Sequence, residues 1–289
     1  MFSFNNFKAV FLLVLLSGIL LLLGGLFGGQ VGLIVALVIA LAMNVGSYWF
    51  SDKLALRASG AHEVTPDQEP RLHGIVDEVC ALSGQPKPRV YIIQNDSPNA
   101  FATGRNAKHA AVAATTGIMR ILDDRELRAV MSHEIGHIKN HDILVNAIVG
   151  TVATAIMFIA MMGRWAMFFG FGGRDREGGL LGIFVMLAML ILAPVAATII
   201  RMAVSRQREY GADATGAHIS HDPMALASAL QKLQATARAV PMQVNPAISH
   251  LFIVNPLGKI DFASLFSTHP PTEKRVERLQ EIARQTGNY

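Results

Sequence analysis

The chain has 289 residues, of which 52% are hydrophobic and 16% charged, with a formal net charge of +4. It is richer in apolar residues than a soluble globular average, and the small positive charge leaves no footprint for a nucleic-acid partner. The single cysteine, Cys80, excludes an internal disulfide and points to a reducing compartment.

The sequence opens on two apolar runs, 7–27 and 30–50, separated by a Gly-rich turn. Each has about 20 residues, the length that crosses a bilayer as a helix. No small-residue cleavage site follows the first run, and the second comes at once. A transmembrane helical hairpin over 1–50 is therefore expected in place of a signal peptide. Tyr48 and Trp49 suit the interface at its end. Asp52, Lys53 and Arg57 then mark the exit into water, where 51–142 make the first part of an aqueous domain. Thr65-Pro66-Asp67 opens an amphipathic helix expected to reach about Leu82, with Leu72, Ile75, Val76 and Val79 on one side and Cys80 as a buried position rather than a nucleophile. Pro86 and Pro88 end it. Residues 89–94 are rich in β formers, and 99–104 and 110–116 read as further strands or strand ends. A short sheet of this kind has a free edge that can pair with an extended polypeptide regardless of its side chains.

A helix follows, expected to run to about Asp142. Asp123 can cap it, with Glu126 three residues on to complete a capping box. It carries His133-Glu134-Ile135-Gly136-His137, the pattern H-E-x-x-H. Four residues apart on a helix, His133 and His137 share one face. Two imidazoles so placed can grip one Zn²⁺ at about 2.0–2.1 Å. Glu134 is turned about 100° away, the position of a general base that is not a ligand. His141, one turn past His137, reads as a helix-end histidine beside the macrodipole. The third ligand is expected farther on, in Ser205-Arg206-Gln207-Arg208-Glu209-Tyr210-Gly211-Ala212-Asp213. There Glu209 would complete the set, and Asp213, one turn later, would accept the free N–H of a ligand histidine.

Between these motifs stand two more apolar runs, 143–163 and 180–200, joined by a Gly-rich, charged connector. His133, His137 and Glu209 can share a metal only from the same side of a membrane, so 143–200 must cross an even number of times, as a second transmembrane or membrane-associated hairpin. Lys8, Lys53, Arg57, Lys139, Arg201, Arg206 and Arg208 flank the runs on the side of the motifs. Opposite lie an uncharged turn and a loop with Arg164, Arg174 and Arg176. This bias places the catalytic region in the cytoplasm. Residues 201–289 make the second part of the aqueous domain, with helices expected to about His218, over 221–238 and over 271–285. Before the last of these sits Thr268-His269-Pro270-Pro271. His269 can donate to a developing oxyanion. Arg275 can hold Glu209 or that oxyanion, although sequence alone favours a solvated helix charge.

His-Glu-Ile-Gly-His followed by the distant Ser205–Asp213 motif, with apolar runs around them, closely resembles the HtpX heat-shock membrane metalloproteases, in the wider family that includes the CAAX prenyl endopeptidases. Pro98-Asn99-Ala100-Phe101-Ala102-Thr103-Gly104 and Thr268-His269-Pro270-Pro271 fit the same resemblance, which covers nearly the whole chain. It implies an α-helical membrane protein with a mainly α, α+β zincin catalytic domain carrying a short β-sheet. It implies a gluzincin-like zinc endopeptidase, one Zn²⁺ per chain, in a bacterial inner membrane, acting on misfolded or damaged membrane proteins in the stress response. It further implies Asn99 and Ala100 as contacts to the substrate backbone, and His269 and Arg275 near the metal. The expected partners are polypeptide substrates and the lipid bilayer; nothing in the sequence sets an oligomeric state. A metal transporter would want ionisable groups inside the spans, and the four runs hold none between their ends. The remaining alternative is a zinc-stabilised membrane scaffold or holdase without turnover. Against it, a structural zinc site ordinarily uses Cys and closes all four positions.

Overall fold

The computed structural model describes residues 4–145, 148, 206–239, 253 and 270–287, with some side chains inside the helices excepted. The second apolar hairpin, 143–200, therefore lies outside the described residues but for its first few positions, and so does His269.

Helix α1 (Phe4–Ala58) is interrupted at Gly29, whose φ of 54° and ψ of −136° are non-helical. The positive φ explains why the Gly-rich turn stands there. Beyond the break, Val31, Leu33, Ile34, Val35, Leu37, Val38, Ile39 and Leu41 are all exposed, over most of the helix circumference, while Ala40 is buried. Taken over the described residues alone, no helix is long and apolar enough to cross a membrane. The side chains of 23–28, in the middle of the apolar sequence, are among those not described. α1 continues past residue 51 to Ala58, and Ala55 and Leu56 pack against Tyr91, Ile93, Phe101, Ala111 and Ala113 on one face of the sheet.

That sheet has four strands, β1 (Ala61–Glu63), β2 (Arg89–Ile93), β3 (Ala100–Gly104) and β4 (Ala110–Thr115), in the order β1-β2-β4-β3. β2 and β4 are parallel; β1–β2 and β3–β4 are antiparallel. Strand alternation separates two cores. Val90, Ile92, Ala100, Ala102, Val112 and Ala114 face the main core with the helices, and the intervening residues face α1. Helix α2 (Pro70–Ser83) starts five residues later than expected, because Thr65 first closes a turn with its carbonyl accepting from Gln68 and Glu69. Gly84 ends it in the left-handed region at φ 68°. Cys80 is buried and unpaired.

After a short helix α3 (Thr116–Ile121) comes α4 (Asp124–Lys139), the centre of the main core. Its capping box is formed, with Asp123 and Glu126 each bonding the other's backbone N–H. Glu126 also accepts from Ser228 and Lys232, both at 2.7 Å, on helix α6 (Pro223–Ala239). Helix α5 (Arg206–Ser220) lies along α4, and helix α7 (Thr272–Thr286) packs on α5 and α6. The fold is mainly helical with one small sheet, as expected.

Candidate metal centre

Two helices built the same way meet here. On α4, one turn separates His133 from His137; on α5, one turn separates Glu209 from Asp213. Glycines let the helices approach. A Cβ on Gly216 would lie 2.8 Å from both Cα and N of His133, and one on Gly136 would lie 3.2 Å from the Ala212 carbonyl oxygen. Glu209 consequently reaches both histidines: Oε2 is 3.8 Å from His133 Nε2, and Oε1 is 3.6 Å from His137 Nε2. The two rings are perpendicular, with centroids 4.7 Å apart.

Each imidazole is held from behind. His133 Nδ1 lies 2.9 Å from Asp213 Oδ1, at a skewed hydrogen-bond angle. His137 Nδ1 lies 3.0 Å from Asp142 Oδ2. Asp142 gets there because α4 stops at Lys139, three residues short of the expected end. His141 then turns left-handed at φ 60°, and Asp142 folds back to donate its N–H to the His137 carbonyl at 2.9 Å. With both Nδ1 atoms occupied by carboxylates, both Nε2 atoms face Glu209.

The three groups fit a divalent metal. One ligand atom from each of His133, His137 and Glu209 lies within 4.8 Å of the others, and all three residues are buried. Tetrahedral ligands at 2.0–2.1 Å from zinc would be about 3.3–3.4 Å apart. The two contacts to Glu209 are a few tenths of an ångström longer. Asp213 and Asp142 supply the carboxylate–histidine pairing that fixes a ligating ring's orientation.

Glu134 is buried beside this group at 3% exposure. Burial, with Glu209 nearby, pushes its carboxyl up to about 8, against the opposing pull of His137, the Ala102 backbone and Arg275. A divalent cation alongside would push the same proton off. Burial works to lower His137 as well. The Asp142 hydrogen bond and the Glu209 charge outweigh it and hold the ring up at about 9, whereas burial prevails at His133 and lowers it.

The Ala102 backbone meets Glu134 because of strand register. Thr115 N–H donates to the Asn99 carbonyl, and β3 then pairs Phe101 with Ala113 and Thr103 with Ala111. In an antiparallel ladder the alternate residues point their backbone groups the other way. Ala100 and Ala102 therefore turn theirs to the outer edge of β3, the side of α4.

Arg275 is not the solvated charge that sequence alone favours. At 1% exposure it is among the most buried side chains in the protein. Its Nε and Nη2 donate to the two Asp213 oxygens at 2.8 and 2.6 Å, and Nη1 donates to the Ile253 carbonyl at 3.0 Å. Nη1 is 3.9 Å from Glu209 Oε2. Its carboxylate bonds go to Asp213 rather than to Glu209, which it approaches only at 3.9 Å. Burial disfavours an ionised Asp213, but Arg275 and His133 outweigh it and hold the carboxyl well below the usual range. The backbone N–H, the backbone carbonyl and the side-chain Oδ1 of Asn99 are all bonded within the protein. Sequence reasoning missed Asp142 and Gly216. The signal for the first was an acid five residues past His137; for the second, a small residue two turns after Glu209.

A helix bearing H-E-x-x-H whose histidines meet a glutamate from a second helix defines the zincin class of metallopeptidase site. Consistent with that, a sequence model described as Peptidase family M48 matches residues 66–283, and the chain belongs to that family. A relative from Persephonella marina, described as "Protease HtpX homolog", is 50% identical over 288 residues, covering 98% of this chain and 99% of its own. Another of the same description, from Pyrococcus furiosus, is 50% identical over 277 residues, covering 96% and 95%. A third, from Burkholderia multivorans, is 48% identical over 289 residues, covering 99% of each. Among solved structures, the crystal structure of S. mikatae Ste24p shares the fold, with a TM-score of 0.53 at 20% identity. The match covers 94% of this chain, which spans 64% of that one.

Proposed function

We propose that the chain is a zinc-dependent endopeptidase embedded in a membrane. The observation that carries the reading is the convergence of His133, His137 and Glu209, with Glu134 buried between them and the outer edge of β3. Two imidazoles and one carboxylate are a donor set that catalytic zinc takes, keeping a further position open. One Zn²⁺ held by these three residues would supply, when bound, the Lewis acidity that activates water and polarises the scissile carbonyl. Glu134 takes the proton of the attacking water and hands it to the leaving amine. Asp142 and Asp213 keep the two rings turned toward Glu209, and Arg275 keeps Asp213 ionised and in place. His269 donates to the oxyanion.

Substrate is an extended polypeptide paired through its backbone with the outward carbonyls of Ala100 and Ala102, whose N–H groups are given to Asn99 Oδ1 and to Glu134, so recognition depends little on side chains. That suits unfolded chains. The broad apolar surface exposed on the second half of α1 belongs in a bilayer rather than in water. The relatives named as HtpX homologs support the same membrane setting. We assign the catalytic region to the cytoplasmic face of a bacterial inner membrane, and misfolded or damaged membrane proteins, cleared in the stress response, as substrates.

The test is cleavage of an unfolded membrane protein by zinc-loaded, detergent-purified protein, wild type beside Glu134→Gln. Fragments from wild type alone are expected. Equal fragments from both would remove Glu134 from the reaction. Fragments from neither, with zinc bound in both, would favour a scaffold without turnover.

A further inference from the structure

Asn99 stands at the entry to β3 and is committed inward. Its N–H donates to Thr115 Oγ1 at 2.8 Å and its carbonyl accepts from Thr115 N–H at 2.9 Å. Its side-chain Oδ1 accepts two backbone N–H groups, from Ala100 and from Ile253, both at 3.0 Å. The second bond reaches 154 residues along the chain. The Ile253 peptide is then used at its other end, its carbonyl accepting Arg275 Nη1 at 3.0 Å. Arg275 grips Asp213 with its other two nitrogens, and Asp213 stands 2.9 Å from His133 Nδ1. Every member of this series, Asn99, Ile253, Arg275, Asp213 and His133, is 2% exposed or less.

We infer that Asn99 is a positioning residue for the metal centre: its Oδ1 pins the Ile253 peptide, which sets Arg275, which in turn sets Asp213 and the His133 ring. The inference rests on the metal centre proposed above. The reason is satisfaction of buried polar groups. A buried backbone donor left without an acceptor costs the desolvation of that group, so losing Oδ1 strands two N–H groups at once. The Ile253 segment must then move to find another acceptor, and its carbonyl leaves Arg275. A guanidinium short of one bond in a buried site re-aims, and the two-pronged grip on Asp213 goes with it. Asp213 orients a ring that supplies a metal ligand, and such orienting carboxylates are worth about 10–100-fold in metal affinity. Asn99 also sets the register of the strand that takes substrate, so a single side chain ties the substrate edge to a metal ligand.

This assigns the work to the carbonyl oxygen of the Asn99 side chain. A direct contact to substrate would instead use its amide N–H groups, since Oδ1 is occupied. Aspartate keeps the oxygen and loses those donors, which separates the two roles. The experiment is zinc affinity by chelator competition, with KM alongside, on the full detergent-purified chain. The variants are Asn99→Ala, Asn99→Asp, Arg275→Lys, and Asn99→Ala combined with Arg275→Lys. Asn99→Ala should weaken zinc about tenfold, the lower end of the range for orienting partners. Asn99→Asp should recover most of the zinc affinity that Asn99→Ala loses and leave KM unchanged, its added buried charge showing as a lower melting temperature. The double variant should be no weaker than the weaker single one, because the two residues act in series.

If Asn99→Ala and Asn99→Asp both raise KM and leave zinc affinity alone, Asn99 contacts substrate and the inference fails. Additive losses in the double variant would mean that Asn99→Ala loosens the fold generally, which also overturns it. Should Asn99→Ala not fold, Asn99→Asp decides alone: zinc affinity close to wild type with KM unchanged supports the inference, and a raised KM with zinc intact overturns it. Wild type that takes up no zinc would overturn the metal centre itself, and this inference with it.

Discussion

Gly216 is where α5 comes closest to α4, and replacing it with alanine should uncouple metal binding from folding. The added Cβ would sit 2.8 Å from the backbone N and Cα of His133, whereas ordinary contacts are 3.4–4 Å. Backbone cannot rotate aside as a side chain can, so α5 must back away by about 1 Å. Overpacking of this kind costs about 1–3 kcal/mol, and the gain in helix propensity from glycine to alanine returns about 1 kcal/mol. The net loss of stability is therefore at most about 2 kcal/mol. The metal centre has far less tolerance. Glu209 lies two helical turns before Gly216 on the same face of α5, and ligand distances are held to about ±0.2 Å. A displacement several times larger should cost about 10–100-fold in zinc affinity, or roughly 1.4–2.8 kcal/mol. Chelator competition gives the affinity, and thermal melting of the chelated protein gives the stability. Gly211→Ala, on the same helix but with its nearest contact at 4.0 Å, is the control and should hold zinc as wild type does. Wild-type zinc affinity in Gly216→Ala would refute the claim that the α4–α5 approach sets the ligand geometry.

Asp142→Ala should lower zinc affinity about 10–100-fold by freeing the His137 ring, measured by the same competition, while β-sheet and helix content by circular dichroism stays unchanged. Arg275→Met leaves Asp213 as a buried charge without its partner, which should cost about 3–5 kcal/mol and show as a lower melting temperature. That variant also has a pH signature. A carboxyl held below its usual range in the folded state contributes stability that is present above about pH 4 and lost as pH falls through the folded value. With Arg275 gone that contribution disappears, so wild type and variant should differ most at neutral pH and converge in acid. A gap that widens on acidification would contradict the assignment.

The parts that depend on local spacing were legible in the sequence. Asp123 and Glu126 announce the start of α4, and the four-residue spacing of His133 and His137 fixes their common face. Glu209 and Asp213 repeat that spacing on α5, and all four residues come together. What could not be read were properties that only packing creates. Arg275 lies on a charged helix, and nothing in its neighbours along the chain says that it is buried. A hint was there, since it shares a stripe with Val276, Leu279 and Ala283, the buried face of α7. Asp142 was hidden because it acts after the helix has ended, through the left-handed turn at His141. The delayed start of α2 has a similar cause: Thr65-Pro66-Asp67 is a good opening for a helix, but the Thr65 carbonyl closes a separate turn first. Asn99 was noticed for the right strand, but its partner at Ile253 is too distant in sequence for any local pattern to reveal.

Metal content tests the central claim most directly, namely that His133, His137 and Glu209 bind zinc while Glu134 works beside it without binding. Purified wild type, Glu209→Ala and Glu134→Gln would be loaded with zinc, desalted and analysed for metal per chain. One zinc in wild type and in Glu134→Gln, with loss in Glu209→Ala, is the expected pattern. Full retention in Glu209→Ala, or loss in Glu134→Gln, would contradict the ligand assignment on which the account stands.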